Sequence, residues 1–483
     1  MLCRELANRS KTIPRCVAQL GKRAAILAAC LFATGFAQAA TFDVNSPADV
    51  PDATPGDGQC ETAVGNKVCT LRGAIQEANA LAGADVIQLQ ANATYVLTRP
   101  GADETSVNGS LDISDSVDIV GGGPGSTIID GNGAVTADRV FDVLPCIGND
   151  ANCALGQVVV SMTGISIRHG QAANLNAGGG LYSAHAGGKA VLTMTNCRVE
   201  NNTAGTGGGI YFSGSMALTS STIADNTATI NSGGGAFLSG TFTIADSTFS
   251  GNVATSETGF GGGLYLVGSG EIRRSAVSGN HARYGGGIFS VAPDKALYIE
   301  NSTLFGNASD GDGGGFENFT GTTTLANVTI AGNTANADRS GGGSGGGVFN
   351  RDSATLNVDN SIIANNADLI TGSLFSVLND CGGTIVSLGF NIVTHATCTI
   401  VGGHLTDAVV FGPFQFNGGP TKTLALLPGT GGIDAGNPGG CTDRLGAPLE
   451  TDQRGLPRPA GAACDLGAYE VQPDLIFEDD FEA

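Results

Sequence analysis

Positive charge is what this chain has least of. Of its 483 residues, 23 are Lys or Arg and 44 are Asp or Glu, a formal charge of −21. Past residue 39 the balance is 17 basic against 43 acidic, a net of −26, and four lysines remain: Lys67, Lys189, Lys295 and Lys422. That surface repels polyanions, which excludes nucleic acid and anionic membrane faces as partners. Metal-ligand patterns are scarce too. There is no CxxC pair and no His/Cys cluster of the kind zinc requires. Apolar runs are short. The clearest, residues 24–36, follows Lys22-Arg23 and precedes Ala37-Gln38-Ala39, a small-x-small cleavage pattern. It is too brief to span a bilayer as a mature helix, so residues 1–39 read as a signal peptide. Leu27-Ala28-Ala29-Cys30 also looks like a lipobox, but cleavage there leaves the longer apolar part behind. The mature chain has no transmembrane segment.

Glycine, by contrast, is abundant at 76 residues, roughly double ordinary usage. Seven times the chain writes three glycines and then an apolar or acidic pair, starting at Gly178, Gly207, Gly233, Gly261, Gly285, Gly313 and Gly345. The intervals of 29, 26, 28, 24, 28 and 32 residues are the signature of a solenoid. Each block leads to an asparagine: Asn202, Asn226, Asn252, Asn280, Asn307, Asn333 and Asn366. Apolar residues always stand three and eight positions before it, as Val199 and Met194 do for Asn202. Strands hold register while turns take the insertions. The segments between turns are short and rich in Val, Ile, Thr and Phe, and glycine at this level is costly inside helices. The fold class is therefore all-β: three short strands per coil, stacked as a right-handed parallel β-helix. Six positions before each asparagine lie Asn196, Ser220, Asp246, Arg274, Asn301, Asn327 and Asn360. This row predicts left-handed corners and an amide ladder running along them.

Eight of the nine cysteines after residue 39 pair by proximity in sequence: Cys60 with Cys69, Cys146 with Cys153, Cys381 with Cys398, and Cys441 with Cys464. Four local disulfides place the chain in an oxidising compartment, although spacing does not prove connectivity. Cys197 is left over, in a row that other coils fill with Ser221, Ser247, Ser275, Ser302 and Ser361, so it reads as a buried structural thiol.

Residues 41–110 form an opening segment. Within it, Cys69-Thr70-Leu71-Arg72-Gly73-Ala74-Ile75-Gln76-Glu77-Ala78 has helical apolar spacing and would cap the open end of the first coil. This stretch resembles the CSLREA segment of bacterial surface β-helix proteins, departing from it at Thr70 and Gly73. Residues 111–410 resemble polymorphic outer membrane protein repeats, on the glycine blocks and on Phe249 to Asn252. Residues 411–471 resemble a choice-of-anchor domain through Asn417-Gly418-Gly419-Pro420, Ile433-Asp434-Ala435-Gly436, Asp452-Gln453-Arg454-Gly455 and Cys464-Asp465-Leu466-Gly467-Ala468-Tyr469-Glu470. Residues 472–483 are an acidic tail, similar to a terminal motif of some gammaproteobacterial exported proteins. The resemblances imply a secreted or cell-surface, outer-membrane-associated protein of a Gram-negative bacterium, adhesin-like or structural, with no defined catalytic residues.

Catalysis has little to stand on in the sequence. A polygalacturonase-like site needs neighbouring aspartates, a His-Gly and an Arg-x-Lys. His169-Gly170 is present, but no Arg-x-Lys follows residue 40 and the sole Asp-Asp is Asp479-Asp480. Asp310-Gly311-Asp312 is the one hint of calcium, without the nine-residue repeat of calcium rolls, and no other cofactor is implied. Arg273, Arg274 and Arg283 lie within about one coil, near Glu271. One column invites a binding reading: Tyr182, Tyr211, Phe237, Tyr265, Phe289 and Phe349, broken by Glu317. Strand alternation would put these rings outside, where aromatic faces suit glycans; bends at the glycines would bury them instead. Loops 183–190, 253–260, 334–344 and 367–380 are the expected contact regions. The sequence therefore favours binding to a polysaccharide or host-surface ligand. A secreted polysaccharide lyase or glycoside hydrolase on the pectate-lyase-like fold is the alternative. An autotransporter passenger is disfavoured, since little chain follows residue 411 for a barrel.

Overall fold

The computed structural model describes residues 39–101, 103–144, 157–172, 176–184, 190–443 and 445–472. Residues 1–38 of the segment read as a signal peptide, the Cys146/Cys153 loop and the acidic tail beyond Gln472 lie outside the described residues. Among the described residues three long sheets wrap one core, with 17, 11 and 8 strands, and a two-stranded hairpin forms a separate sheet. A single coil shows the plan. Ile210–Thr219 lies in the first sheet, Thr222–Ala224 in the second and Thr227–Ala228 in the third. The next coil repeats it with Ala236–Ala245, Thr248–Ser250 and Val253–Ala254, each pairing in parallel with its predecessor. First-sheet strands are longer than the sequence suggested, ten residues here and thirteen at Ile288–Glu300, because the segments on both sides of the Gly240 row run on as one strand.

Each coil turns three times, and each turn passes through left-handed backbone. The first corner is the row read from the sequence: φ is 51° at Asn196, 49° at Ser220, 52° at Asp246 and 47° at Arg274. The second corner precedes each landmark asparagine, at Asn201, Asp225, Gly251, Gly279, Gly306, Gly332 and Asn365. The third is the first glycine of each block, where Gly207 has φ 57°. The other two glycines answer to crowding. A Cβ on Gly208 would lie 2.5 Å from the Gly234 carbonyl oxygen, and one on Gly209 would lie 2.7 Å from that of Gly235. Any side chain would force neighbouring coils apart, which is why the triplet recurs.

Inward rows fill the interior. Leu181, Ile210, Leu264, Ile288, Phe316 and Val348 are fully buried in one continuous core, each contributing on the order of 1.5–3 kcal/mol relative to exposure. The continuous amide ladder belongs to the landmark row; the corner row, where the sequence reading put it, carries one such bond among the described residues, Asn360 donating to Asn327 Oδ1 at 2.7 Å. The Asn226 side chain donates to Asn252 Oδ1 at 3.0 Å, Asn252 to Asn280 at 2.9 Å, and Asn280 to Asn307 at 2.9 Å. It runs from Asn202 to Asn366 and ends on Asp380 Oδ1. The reason is burial along the whole stack: every landmark asparagine is buried and each of its polar groups needs a partner, while corner side chains leave the solenoid, and Asn301, Asn327 and Asn360 are buried by the docking of residues 411–471. A second ladder stacks serines, with Ser221 N–H donating to Ser247 Oγ and Ser247 N–H to Ser275 Oγ, both at 3.2 Å. Cys197 heads this row as a buried free thiol, its titration pushed upward by burial.

The N-terminal end is covered by the helix Leu71–Ala80. Thr70 caps it, accepting the Gly73 N–H at 3.0 Å, and Leu71, Ala74, Ile75 and Ala78 join the main core. Arg72 is fully buried, held by Asp49 at 2.5 Å and by the carbonyls of Ser106, Gly109 and Ser110. Among the described residues three disulfides are present, Cys60–Cys69, Cys381–Cys398 and Cys441–Cys464. Residues past 411 lie along the flank of the solenoid. Corner residues Asn301, Asn327 and Asn360 donate to the carbonyls of Thr451, Thr442 and Asp465. Arg458, wholly buried, bridges Glu470 at 3.0 Å and Asn301 at 2.8 Å. No helix among the described residues is long and apolar enough to cross a membrane.

Candidate functional site

The position just after each inward aliphatic forms one register column across the first sheet. It reads Asp112, Asp142, Tyr182, Tyr211, Phe237, Tyr265, Phe289, Glu317 and Phe349, each paired with the next. The rings contact one another along the axis. Tyr211 and Phe237 stack at 4.5 Å and 6°, and Tyr265 and Phe289 at 5.7 Å and 17°. Tyr182, Tyr211, Phe237, Tyr265 and Phe349 are half-buried, while Phe289 is closed off by Phe260 and Phe319. Stacking turns the ring faces toward neighbouring coils, so solvent meets ring edges and tyrosine hydroxyls.

Carboxylates flank the ladder on both sides, each served by an arginine that lies over an aromatic ring. Arg139 reaches Asp142 at 2.7 Å and sits 4.2 Å over Tyr182. Arg351 reaches Glu317 at 2.8 Å and Asp312 at 3.0 Å, and sits 4.8 Å over Phe349. Burial pushes Glu317 up to about 8 and Asp142 up to about 7, more than their arginines hold them down. Glu317 is fully buried, and its Oε2 has no hydrogen-bond partner.

Beside this column two of the expected contact loops meet. Residues 254–257 and residues 338 and 340 line a groove of about 390 Å³, with His281, Arg283 and Asp310 on its floor. His281 Nε2 lies 3.0 Å from Asp310 Oδ1, and Arg283 donates to Asp338 at 3.2 Å and to the Asp310 carbonyl at 3.1 Å. Hydroxyl hydrogen bonding from Ser340 holds Asp338 below the usual carboxylate range. Tyr284 joins groove to column, its ring 5.6 Å from Phe260 and 5.6 Å from the Arg283 guanidinium.

The remaining sequence candidates disperse. Asp310 goes to His281 and Asp312 to Arg351, so the pair that hinted at calcium faces two different partners. Arg273 pairs with Glu271, Arg274 with Asp246 and Arg283 with Asp338, three separate bridges rather than one cluster. Among the described residues no group of three or more His, Cys, Asp or Glu converges on a common point. His169 is a second-corner residue with φ 55°. Sequence reasoning missed Phe260, Tyr284, Phe319 and Arg351, which lie off the repeat. Phe260 and Tyr284 stand immediately before a glycine block, Phe319 lies within the strand Phe316–Ala326 and Arg351 follows the strand Val348–Asn350.

The family model described as right handed beta helix region matches residues 156–335. The chain thus folds as an all-β right-handed parallel β-helix, the class that its three parallel sheets define. The crystal structure of pectate lyase Pel9A is similar over 90% of this chain and 97% of that one, at 13% identity and a TM-score of 0.42. No curated protein matches the chain.

Proposed function

We propose that this is an exported bacterial β-helix protein, secreted or held at the cell surface, that binds polysaccharide through the groove between loops 253–260 and 334–344. The observation that carries the reading is the groove itself. Two loops some eighty residues apart bring hydroxyls, oriented carboxylates and an arginine together beside exposed aromatic edges, the mixture that fixes the hydroxyls of a sugar while packing its apolar face. The strongly acidic surface favours a neutral glycan over an acidic one. In this reading the helix segment resembling CSLREA caps the solenoid, residues 411–471 serve as the anchor region, and the disulfides suit an extracytoplasmic compartment.

The test is calorimetric titration of a neutral and acidic polysaccharide panel with protein lacking residues 1–39. Arg283→Ala with Asp338→Ala should weaken binding about tenfold or more, the loss of roughly 1.4 kcal/mol, with the melting temperature little changed. Binding untouched by that pair of substitutions would refute the groove. A second reading, a polysaccharide lyase or glycoside hydrolase, draws on Glu317 and Asp312, two carboxylates sharing Arg351. It ranks below because the Glu317 side chain is wholly buried. Turnover of the same panel with and without calcium would raise it.

A further inference from the structure

A second groove, of about 450 Å³, opens at the corner between the second and third sheets, three coils earlier on the third-sheet column that carries His281. His169 and Asp130 line it, with Asn132, Gln171, Asn201 and Thr203 around them. The Asp130 carboxylate is fully engaged. Its Oδ1 accepts the Asn132 N–H at 3.0 Å, and its Oδ2 receives Arg168 Nε at 2.9 Å and His169 Nδ1 at 3.0 Å. Burial alone would raise this carboxyl, yet those three donors hold it below its ordinary range. An ionised acceptor on Nδ1 fixes the neutral imidazole as the Nδ1–H tautomer. The lone pair then resides on Nε2, on a ring about half exposed in the groove.

The histidine is also held in place by its backbone. Gly133 N–H donates to the His169 carbonyl at 2.8 Å, and Gly170 N–H to Asn202 Oδ1 at 2.8 Å, tying the corner to the start of the amide ladder. Later coils put Asn, Asp or Gly at this left-handed position, residues that adopt it at least cost. One coil departs from that choice, and there an imidazole stands against a carboxylate at the edge of a cavity.

We infer that His169 and Asp130 form a hydrolytic site for carboxylic esters of polyhydroxylated carriers such as O-acylated glycans, with His169 as general base and Asp130 as its positioning residue. Water loses a proton to Nε2 as its oxygen bonds to the ester carbonyl carbon. The tetrahedral adduct then breaks its bond to the alcohol oxygen, and the proton passes from Nε2 to that oxygen. One ester and one water give one acid and one alcohol, with no other reactant. A lone imidazole–carboxylate pair suits acyl transfer to water, and the amide and hydroxyl rim suits a polyol carrier. This site is separate from the glycan-binding groove, so either can fail alone.

The experiment is acetate release from O-acetylated xylan by protein lacking residues 1–39. His169→Asn is the informative variant because asparagine already occupies this corner in other coils and preserves the fold. It should lower kcat/KM by about a hundredfold or more, within the range for a removed general base. Asp130→Asn should lower kcat by about tenfold or more through the wrong tautomer, with KM little changed. Thr243→Ala, exposed on the first sheet, should release acetate like the parent. Absence of acetate release by the parent protein, or equal rates for His169→Asn and the parent, would overturn the assignment.

Discussion

Replacing Asn252 by alanine removes an interior rung of the amide ladder, and the structure sets the size of the loss. Asn252 Oδ1 accepts the backbone N–H of Asn226 at 3.1 Å and its side-chain amide at 3.0 Å. Its own amide donates to the Ile223 carbonyl and to Asn280 Oδ1, both at 2.9 Å. Alanine leaves two buried donors of Asn226 without an acceptor, at about 1–3 kcal/mol each, so the expected loss is on the order of 2–6 kcal/mol. Asn252→Asp keeps both accepted bonds but loses both donated ones and buries a charge. It should be less stable at pH 7 than at pH 4, because a buried carboxylate with a raised pKa loses its proton, and with it stability, as pH rises. Urea unfolding supplies the free energy, and hydrogen exchange shows whether the coils on either side open first. A loss below about 1 kcal/mol, equal to that of the exposed control Thr243→Ala, would refute the ladder as a source of stability.

Three further outcomes follow from particular contacts. Glu317 is held near 8 in the folded state against 4.5 as its reference, so the native state keeps a proton that the unfolded chain releases. Stability should therefore fall by up to about 1.4 kcal/mol per pH unit between those values, and Glu317→Gln should flatten that slope in melting curves taken from pH 4 to 9. Arg458→Met strands the buried Glu470 carboxylate, at about 3–5 kcal/mol. Limited proteolysis should then cut residues 411–471 away from an intact solenoid, and resistance equal to the parent's would contradict the docking described above. Cys197→Ser places in the row the residue that five other coils carry, so its melting temperature should lie within a few degrees of the parent's.

The repeat was legible because a stacked coil must satisfy the same constraints each time it comes round. The glycine triplets answer to backbone contacts that recur every coil, and the corner row to a backbone sign that few residues tolerate. The ladder was misplaced because a polar row says nothing about which way it points. The clue was stringency: the landmark position is asparagine in all seven coils, the corner position in four. The candidate site was half legible. Loops 253–260 and 334–344 were read as contact regions from length variation, yet Arg351, Tyr284 and Phe260 meet only through stacking between coils. The flank docking of residues 411–471 joins partners more than a hundred residues apart, such as Asn301 with Arg458, and no local pattern encodes it.

That flank docking works as a ruler. The segment takes hold of coils at Arg274, Asn301, Asn327 and Asn360, so the number of coils between these grips is set by the span of a chain that is itself folded. A duplicated coil inserted there would push the outer grips one strand spacing apart, about 4.8 Å, and break register with Thr421, Thr451, Thr442 and Asp465. The same duplication upstream of Arg274 would meet no such measure. Growth of this molecule by whole coils is therefore open toward its N-terminal half and closed toward the other, and designed length variants should be built on that side.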